Sequence, residues 1–291
     1  MITLKIAIAL LIACQTATLG HAQDRGLGNA TRTFTDPSQM RPSDWTNPRE
    51  VRRTWVAAIV RVPDSKGRSK QIKTGALAGW KPRSGGRLPA VIYMHGCSGI
   101  WEGTTRRAKF MADLGFVVIA PASFARRKYP QSCDVTSREG GMYRDILKMR
   151  QNDAAYAIAQ AGELSFVDPS KIILMGLSEG GITTATLPGN RYKTALAARI
   201  VEGWTCHAGR PEYEGLKARA SEPVLTLVGA RDPWFQDQWT KGNCSRFVRT
   251  ANGSRSVVYT SGALAREHEL LDYKQPRQDV ERFLRERGLL N

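Results

Sequence analysis

The chain has 291 residues, 42% of them hydrophobic and 24% charged, the balance of a folded globular protein rather than a disordered or collagenous one. Lysine and arginine outnumber aspartate and glutamate 43 to 26, a formal net charge of +17. The basic residues are scattered (Arg106-Arg107, Arg126-Arg127-Lys128, Arg277, Arg282, Arg285, Arg287), with no nucleic-acid-binding motif, so the charge suggests electrostatic association with an anionic envelope surface and not specific nucleic-acid binding.

At the start of the chain, Met1 to Lys5 precede an apolar run, Ile6 to Ala13, and then small and polar residues ending Gly20-His21-Ala22. This pattern predicts a signal peptide over residues 1–22, since the run is shorter than the ~20 apolar residues that cross a bilayer. The expected location is periplasmic or secreted. Leu11-Ile12-Ala13-Cys14 also resembles a lipobox, so lipid anchoring through Cys14 stands as the alternative. Residues 23–50, rich in Arg, Asn, Pro, Ser and Thr without periodicity, read as an extended arm. The remaining 51–291 are enough for a single α/β domain.

Within that domain, Val51 to Val62 and Gln71 to Trp80 read as strands joined by a turn at Pro63 to Gly67, an antiparallel hairpin. Pro89 to Met94 reads as a buried strand, followed by a helix from Thr105 to Leu114 and a strand from Phe116 to Pro121. A long helix is predicted over Arg138 to Glu163, and the apolar run Lys171 to Met175 is the next strand. Strands then follow at Ala198 to Gly203, Pro223 to Gly229 and Ser256 to Ser261, with helices at Gln236 to Arg249 and Gln278 to Arg287. Repeated strand–helix units predict an α/β fold, a mostly parallel twisted sheet with helices on both faces. Only about twenty residues separate the strands at Ala198 and Pro223, too few for a large cap domain.

Gly176-Leu177-Ser178-Glu179-Gly180 sits where a strand turns into a helix. Glycines flanking a serine at such a turn remove side chains where backbones crowd, so one hydroxyl is held above the sheet edge. A hydroxyl is a poor nucleophile until a base takes its proton. His268 is the candidate base and Asp232 its orienting carboxylate, each just past a predicted strand and in the order Ser, Asp, His. His95 and His207 rival His268, but His95 directly precedes the loop after the Met94 strand, where it is expected to orient backbone, and His207 lies in the wrong place in chain order; Asp237 and Glu267 rival Asp232. Two backbone donors are needed for an oxyanion, and Glu179 N–H and Cys97 N–H are the candidates, with Ser98 as neighbour. The Glu179 carboxylate has two readings, contact with a neighbouring loop or a bias on substrate charge. Trp101, Trp204 and Trp234 lie on loops at the same edge, with Trp101 and Trp234 the better candidates for a substrate cleft; Arg126 is a candidate for binding a substrate carboxylate, against the plainer reading of exposed charge.

Without Cys14, the cysteines number four, an even count that suits disulfides in an exported protein. Cys97 with Cys133 and Cys206 with Cys244 is the favoured pairing, as each ties loops at one sheet edge; buried free thiols are the alternative. No Cys-x-x-Cys or His-x-x-x-His spacing suggests a metal, and no cofactor is expected.

The elbow Gly176 to Gly180, the acid segment Gly229-Ala230-Arg231-Asp232-Pro233, His268, the segment His95-Gly96-Cys97-Ser98-Gly99 and Pro121 to Arg126 together resemble the α/β-hydrolase superfamily, and within it the dienelactone-hydrolase-like group. The resemblance spans roughly residues 51 to 290 and implies the α/β-hydrolase fold, with the His-Gly segment as oxyanion loop. It departs at the nucleophile: dienelactone hydrolases carry cysteine where this chain has Ser178, so the lactone substrate is not inherited with the fold. The expected function is an exported serine hydrolase that cleaves carboxylic esters or lactones, small molecules, through an acyl-enzyme. The alternatives are a prolyl-oligopeptidase-like peptidase, weakened by the lack of a propeller-sized N-terminal domain, and a non-catalytic envelope-binding protein with a hydrolase fold.

Overall fold

The computed structural model describes residues 33–64, 67–83 and 85–290. The expected signal segment, with Cys14 and His21, lies outside the described residues, as do residues 23–32 of the arm.

The described chain begins with two short helices, α1 (Pro42–Thr46) and α2 (Pro48–Val56), then the strands β1 (Ile59–Pro63), β2 (Ser69–Ile72) and β3 (Leu88–Met94). Helix α3 (Glu102–Asp113) leads to β4 (Val117–Ala120) and a two-stranded hairpin, β5 (Cys133–Asp134) with β6 (Glu139–Gly140). After α4 (Ile146–Gly162) come β7 (Val167–Leu177), α5 (Glu179–Thr186), β8 (Ala198–Glu202), β9 (Val224–Gly229), β10 (Arg255–Tyr259) and α6 (Lys274–Glu286). The main sheet has eight strands in the order β10-β9-β8-β7-β3-β4-β1-β2. Only β1 runs antiparallel to its neighbours β2 and β4; the other pairings are parallel.

Both faces of the sheet are covered because the central strands are apolar on both sides of the pleat. On β3, Val91 and Tyr93 face a core completed by Met111 of α3 and by Val280 and Phe283 of α6. The alternate residues Ala90, Ile92 and Met94 face a second core, with Ala154, Ala157 and Ala161 of α4. This is the α/β-hydrolase fold that the motifs imply. The carboxyl ends of β3, β7, β8 and β9 meet along one edge, where the loops carrying the candidate site emerge.

Five local expectations differ from the structure. The described part of the arm is largely helical, and α2 occupies residues expected as strand. Asn47 caps α2 by accepting from Arg49 N–H at 3.0 Å, Pro48 opens its first turn, and Val51 and Thr54 share its buried face. Only the first part of Gln71 to Trp80 is strand; Thr74–Gly79 winds into a 3-10 helix. The long helix begins at Ile146 and not Arg138, because residues 133–140 pair as the β5–β6 hairpin and Gly141 takes a left-handed φ of 72°. The helix expected over Gln236 to Arg249 is a loop with one short 3-10 turn, Ser245–Phe247. There Asp237 accepts from the backbone N–H groups of Trp239 and Thr240, closing a turn in place of a helix.

Candidate active site

Strand β7 ends at Leu177, α5 begins at Glu179, and between them Ser178 adopts φ 57° and ψ −121°, a conformation that side-chain-bearing residues seldom occupy. Its neighbours enforce it: a methyl on Gly180 would lie 2.0 Å from the Met94 carbonyl oxygen, so only glycine lets α5 approach β3 this closely. Ser178 N–H donates to the Glu202 carbonyl at the end of β8, 2.9 Å away. The next residue, Gly203, has φ 62°, and a methyl there would lie 3.1 Å from Cε1 of His268. The serine turn and the histidine ring therefore flank one short stretch of β8.

His268 Nδ1 donates to Asp232 Oδ2 at 2.7 Å, and the carboxylate is buried while the ring is 13% exposed. Oδ1 of the same carboxylate accepts from Trp234 N–H at 3.0 Å, which fixes the plane of the acid. The Trp234 ring stacks on the imidazole, with centroids 5.3 Å apart and planes 28° off parallel. His268 Nε2 is buried and has no hydrogen-bond partner among the described residues, including Ser178 Oγ. Such bonds are commonly long in unliganded hydrolases and tighten on substrate binding.

The rival side chains are engaged elsewhere. Asp237 closes its turn, and His207 Nε2 lies 3.1 Å from the Asn243 carbonyl. His95, fully buried, accepts from Ser123 N–H through Nε2 at 3.2 Å, which puts its proton on Nδ1, 2.7 Å from the Gly96 carbonyl. Burial, and then the neighbouring Arg150 charge, holds its pKa well below the usual imidazole range, so it stays neutral.

The segment Gly96–Cys97 packs against the elbow: a methyl on Gly96 would sit 3.7 Å from Ser178 Cβ. Cys97 is bonded to Cys133 of β5, and Cys206 to Cys244. Glu179, the first residue of α5, has an N–H with no partner inside the helix. Its carboxylate contacts a neighbouring element: the buried Oε1 accepts from Arg150 Nη1 of α4 at 3.1 Å, so it is not free to bias substrate charge.

Arg126 requires a correction. It is 1% exposed, pairs with Asp153 at 2.5 Å and donates to the Asp44 carbonyl at 2.9 Å, tying α1 to α4. A buried cation must be paired, and this one is spent inside the fold, so it does not bind a substrate carboxylate. Trp101 folds its ring over Gly103 in the first turn of α3, while Trp204 is buried against Phe235.

Sequence reasoning missed two buried cations beside the site. Arg150 lies on α4 in line with Ile146, Ala154, Ala157 and Ala161, a charge on an apolar stripe, and that misplacement was the available signal. Arg107 likewise falls on the buried face of α3 with Met111. It binds both carboxylate oxygens of Glu202 at 2.7 Å and reaches Asp272 at 3.1 Å and Glu269 at 3.4 Å. Since Glu202 also accepts from Leu271 N–H, the loop that follows His268 is fastened to β8 and α3. Burial raises the Glu269 pKa to about 7 against the pull of Arg107, with Glu202 and Asp272 adding to the rise. No group of side chains suited to holding a metal occurs among the described residues.

Comparison with solved structures finds matches at low identity. A Klebsiella pneumoniae protein described as a dienelactone hydrolase is 19% identical, with 70% of this chain and 88% of that one covered and a TM-score of 0.49. Esterase 2 of Thermogutta terrifontis is 16% identical over 80% and 90% of the two chains, with a TM-score of 0.48. A dienelactone-hydrolase-like promiscuous phosphotriesterase from metagenomic libraries is 22% identical over 71% and 82%, with a TM-score of 0.45. No curated protein matches the chain in a sequence search. The dienelactone hydrolase family model matches residues 75–263, a stretch that holds the serine elbow, the acid segment and the His-Gly loop. The chain belongs to the dienelactone hydrolase family.

Proposed function

We propose that the protein is an exported serine hydrolase that cleaves carboxylic esters or lactones. The observation that carries this reading is the Asp232–His268 hydrogen bond, at 2.7 Å, set against the strained Ser178 turn with His268 Nε2 left without a partner among the described residues.

In this reading Ser178 Oγ attacks the substrate carbonyl carbon while its proton passes to His268 Nε2. Asp232 holds the imidazole in the tautomer that leaves Nε2 bare, and stabilises the imidazolium that forms. Glu179 N–H and Cys97 N–H receive the oxyanion. The tetrahedral intermediate then collapses, the alcohol leaves with the proton from Nε2, and the acyl group remains on Oγ. Water attacks this acyl-enzyme, His268 takes its proton and later returns one to Ser178 Oγ, and the acid is released. Trp234, stacked on the histidine, offers an apolar wall for the substrate. No α-helix lies between β8 and β9, which suits small esters and accessible ester ends over long acyl chains in a tunnel. Two disulfides suit an oxidising compartment, in keeping with export.

Turnover of 4-nitrophenyl butyrate and of a simple lactone by the mature protein tests the reading. Asp232→Asn is expected to lower kcat by roughly 1,000-fold or more, because the imidazole loses its enforced tautomer, and Ser178→Ala to abolish turnover. Native protein no faster than Ser178→Ala on both substrates would contradict it.

A further inference from the structure

We infer that Arg150 is a positioning residue that locks both halves of the oxyanion hole to one another; the assignment rests on the serine-hydrolase reading above.

Its guanidinium is fully buried and touches both segments that supply the oxyanion donors. Nη1 donates to Glu179 Oε1 at 3.1 Å, and Nη2 donates to the backbone carbonyl of His95. Glu179 follows the nucleophile and His95 opens the oxyanion loop, so a single rigid cation from α4 spans the two.

Peptide planarity turns these contacts into aim. In a trans peptide the N–H of one residue points opposite to the carbonyl of the residue before it. Holding the His95 carbonyl on Arg150 fixes the His95–Gly96 peptide plane. The next carbonyl, that of Gly96, accepts from His95 Nδ1–H at 2.7 Å and from Gly99 N–H at 3.1 Å, which directs Cys97 N–H the other way. The Cys97–Cys133 bridge holds the same residue through its side chain. On the opposite side, the Glu179 carboxylate bound to Arg150 fixes the residue whose N–H is the second donor. Because Nη1 also lies 3.4 Å from Tyr129 Oη, the guanidinium is held on more than one side.

The geometry needs a fork. Arginine presents several donors in one plane, so it reaches a carboxylate and a carbonyl together, whereas a lysine ammonium is a point donor that satisfies one segment and releases the other. Glu179 has a second purpose here, since a buried guanidinium is stable only with a paired charge.

The test compares native protein, Arg150→Lys and Glu179→Gln in ester hydrolysis, and in inhibition by a trifluoromethyl ketone, whose hemiketal oxyanion occupies the same donors. Arg150→Lys is expected to lower kcat ~100-fold with KM within about threefold, the scale of losing one oxyanion donor. Glu179→Gln, which keeps an acceptor for the fork but removes its charge, is expected to lose ~10-fold. The ketone affinity should fall in proportion to kcat/KM in each, a correlation that general loosening of the fold does not produce. Folding is checked by thermal melting, and if Arg150→Lys does not fold, Glu179→Gln decides. Folded variants with native kcat, or with changes in KM alone, overturn the assignment while leaving the serine-hydrolase reading intact. Native protein without ester turnover overturns both.

Discussion

Glu269 shows how a single carboxyl beside the site couples the histidine loop to pH. It sits next to His268 with its side chain 29% exposed, facing Arg107 of α3, Glu202 of β8 and Asp272 of its own loop. Its pKa rises from an ordinary 4.5 to about 7, so below that pH the folded protein favours the neutral acid. The stabilisation from this group is full below pH 4.5, where both states hold the proton. It is lost as pH rises through 7, where the folded state must ionise against burial and two carboxylates. Glu269→Gln keeps the site neutral at every pH. The variant is expected to be more stable relative to native protein at pH 8 than at pH 5, by on the order of 2 kcal/mol after allowance for solvent screening. Urea denaturation at the two pH values measures it, and an equal difference at both would contradict the ionisation argument. Gly203 acts at the same scale by being small: with no Cβ at φ 62°, it lets β8 pass under the imidazole.

At the scale of elements, each loop of the site is fastened to a neighbour by a bond that crosses between elements. The loop after β3 is joined to β5 through Cys97–Cys133, two cysteines 36 positions apart in sequence. Removing the bridge by Cys97→Ala with Cys133→Ala is expected to cost about 3 kcal/mol in stability. It should also lower kcat by ~10-fold or more where the protein is still folded, since Cys97 N–H loses part of its support. Melting curves and turnover below the transition measure the two effects, and unchanged turnover would show that the bridge serves stability alone. The pattern of elements follows the sequence wherever apolar runs are long. β9, most of β3 and the Ile172–Leu177 part of β7 are buried on both faces, and it is there that their hydrophobic runs stand out in the sequence. Two of the segments that depart from expectation, α2 and residues 236–249, are decided by side-chain capping: Asn47 starts a helix and Asp237 closes a turn, yet both are one polar residue before a mixed stretch. The site shows the same division. Ser178, Asp232 and His268 are candidates from chain order because each follows a strand of the sheet, and the structure brings His268 within hydrogen-bond distance of Asp232; the burial of Arg126 is not legible, since it depends on Asp153 and on the Asp44 carbonyl, distant in sequence.

Across the whole molecule, the high positive charge conceals an interior of neutralised cations. Arg107, Arg126, Arg150 and Arg199 are all fully buried or nearly so, and they face Glu202, Asp153, Glu179 and Glu222 respectively. Three of the pairs join elements that the sheet alone leaves separate, α3 to β8, the turn after β4 to α4, and α4 to α5, and the fourth ties β8 to the segment before its neighbour β9. Pairs of this kind contribute less to net stability than to the uniqueness of the arrangement they connect. Two of the four, Arg107–Glu202 and Arg150–Glu179, lie directly beneath the carboxyl edge of the sheet, so the framework that orders the core also supports the candidate site. Labelling of the protein with a fluorophosphonate tests whether the serine at that edge is activated: one phosphonyl adduct is expected, located by peptide mass spectrometry on Ser178, absent in Ser178→Ala and strongly reduced in His268→Ala. An unlabelled native protein, or an adduct on another residue, would contradict it.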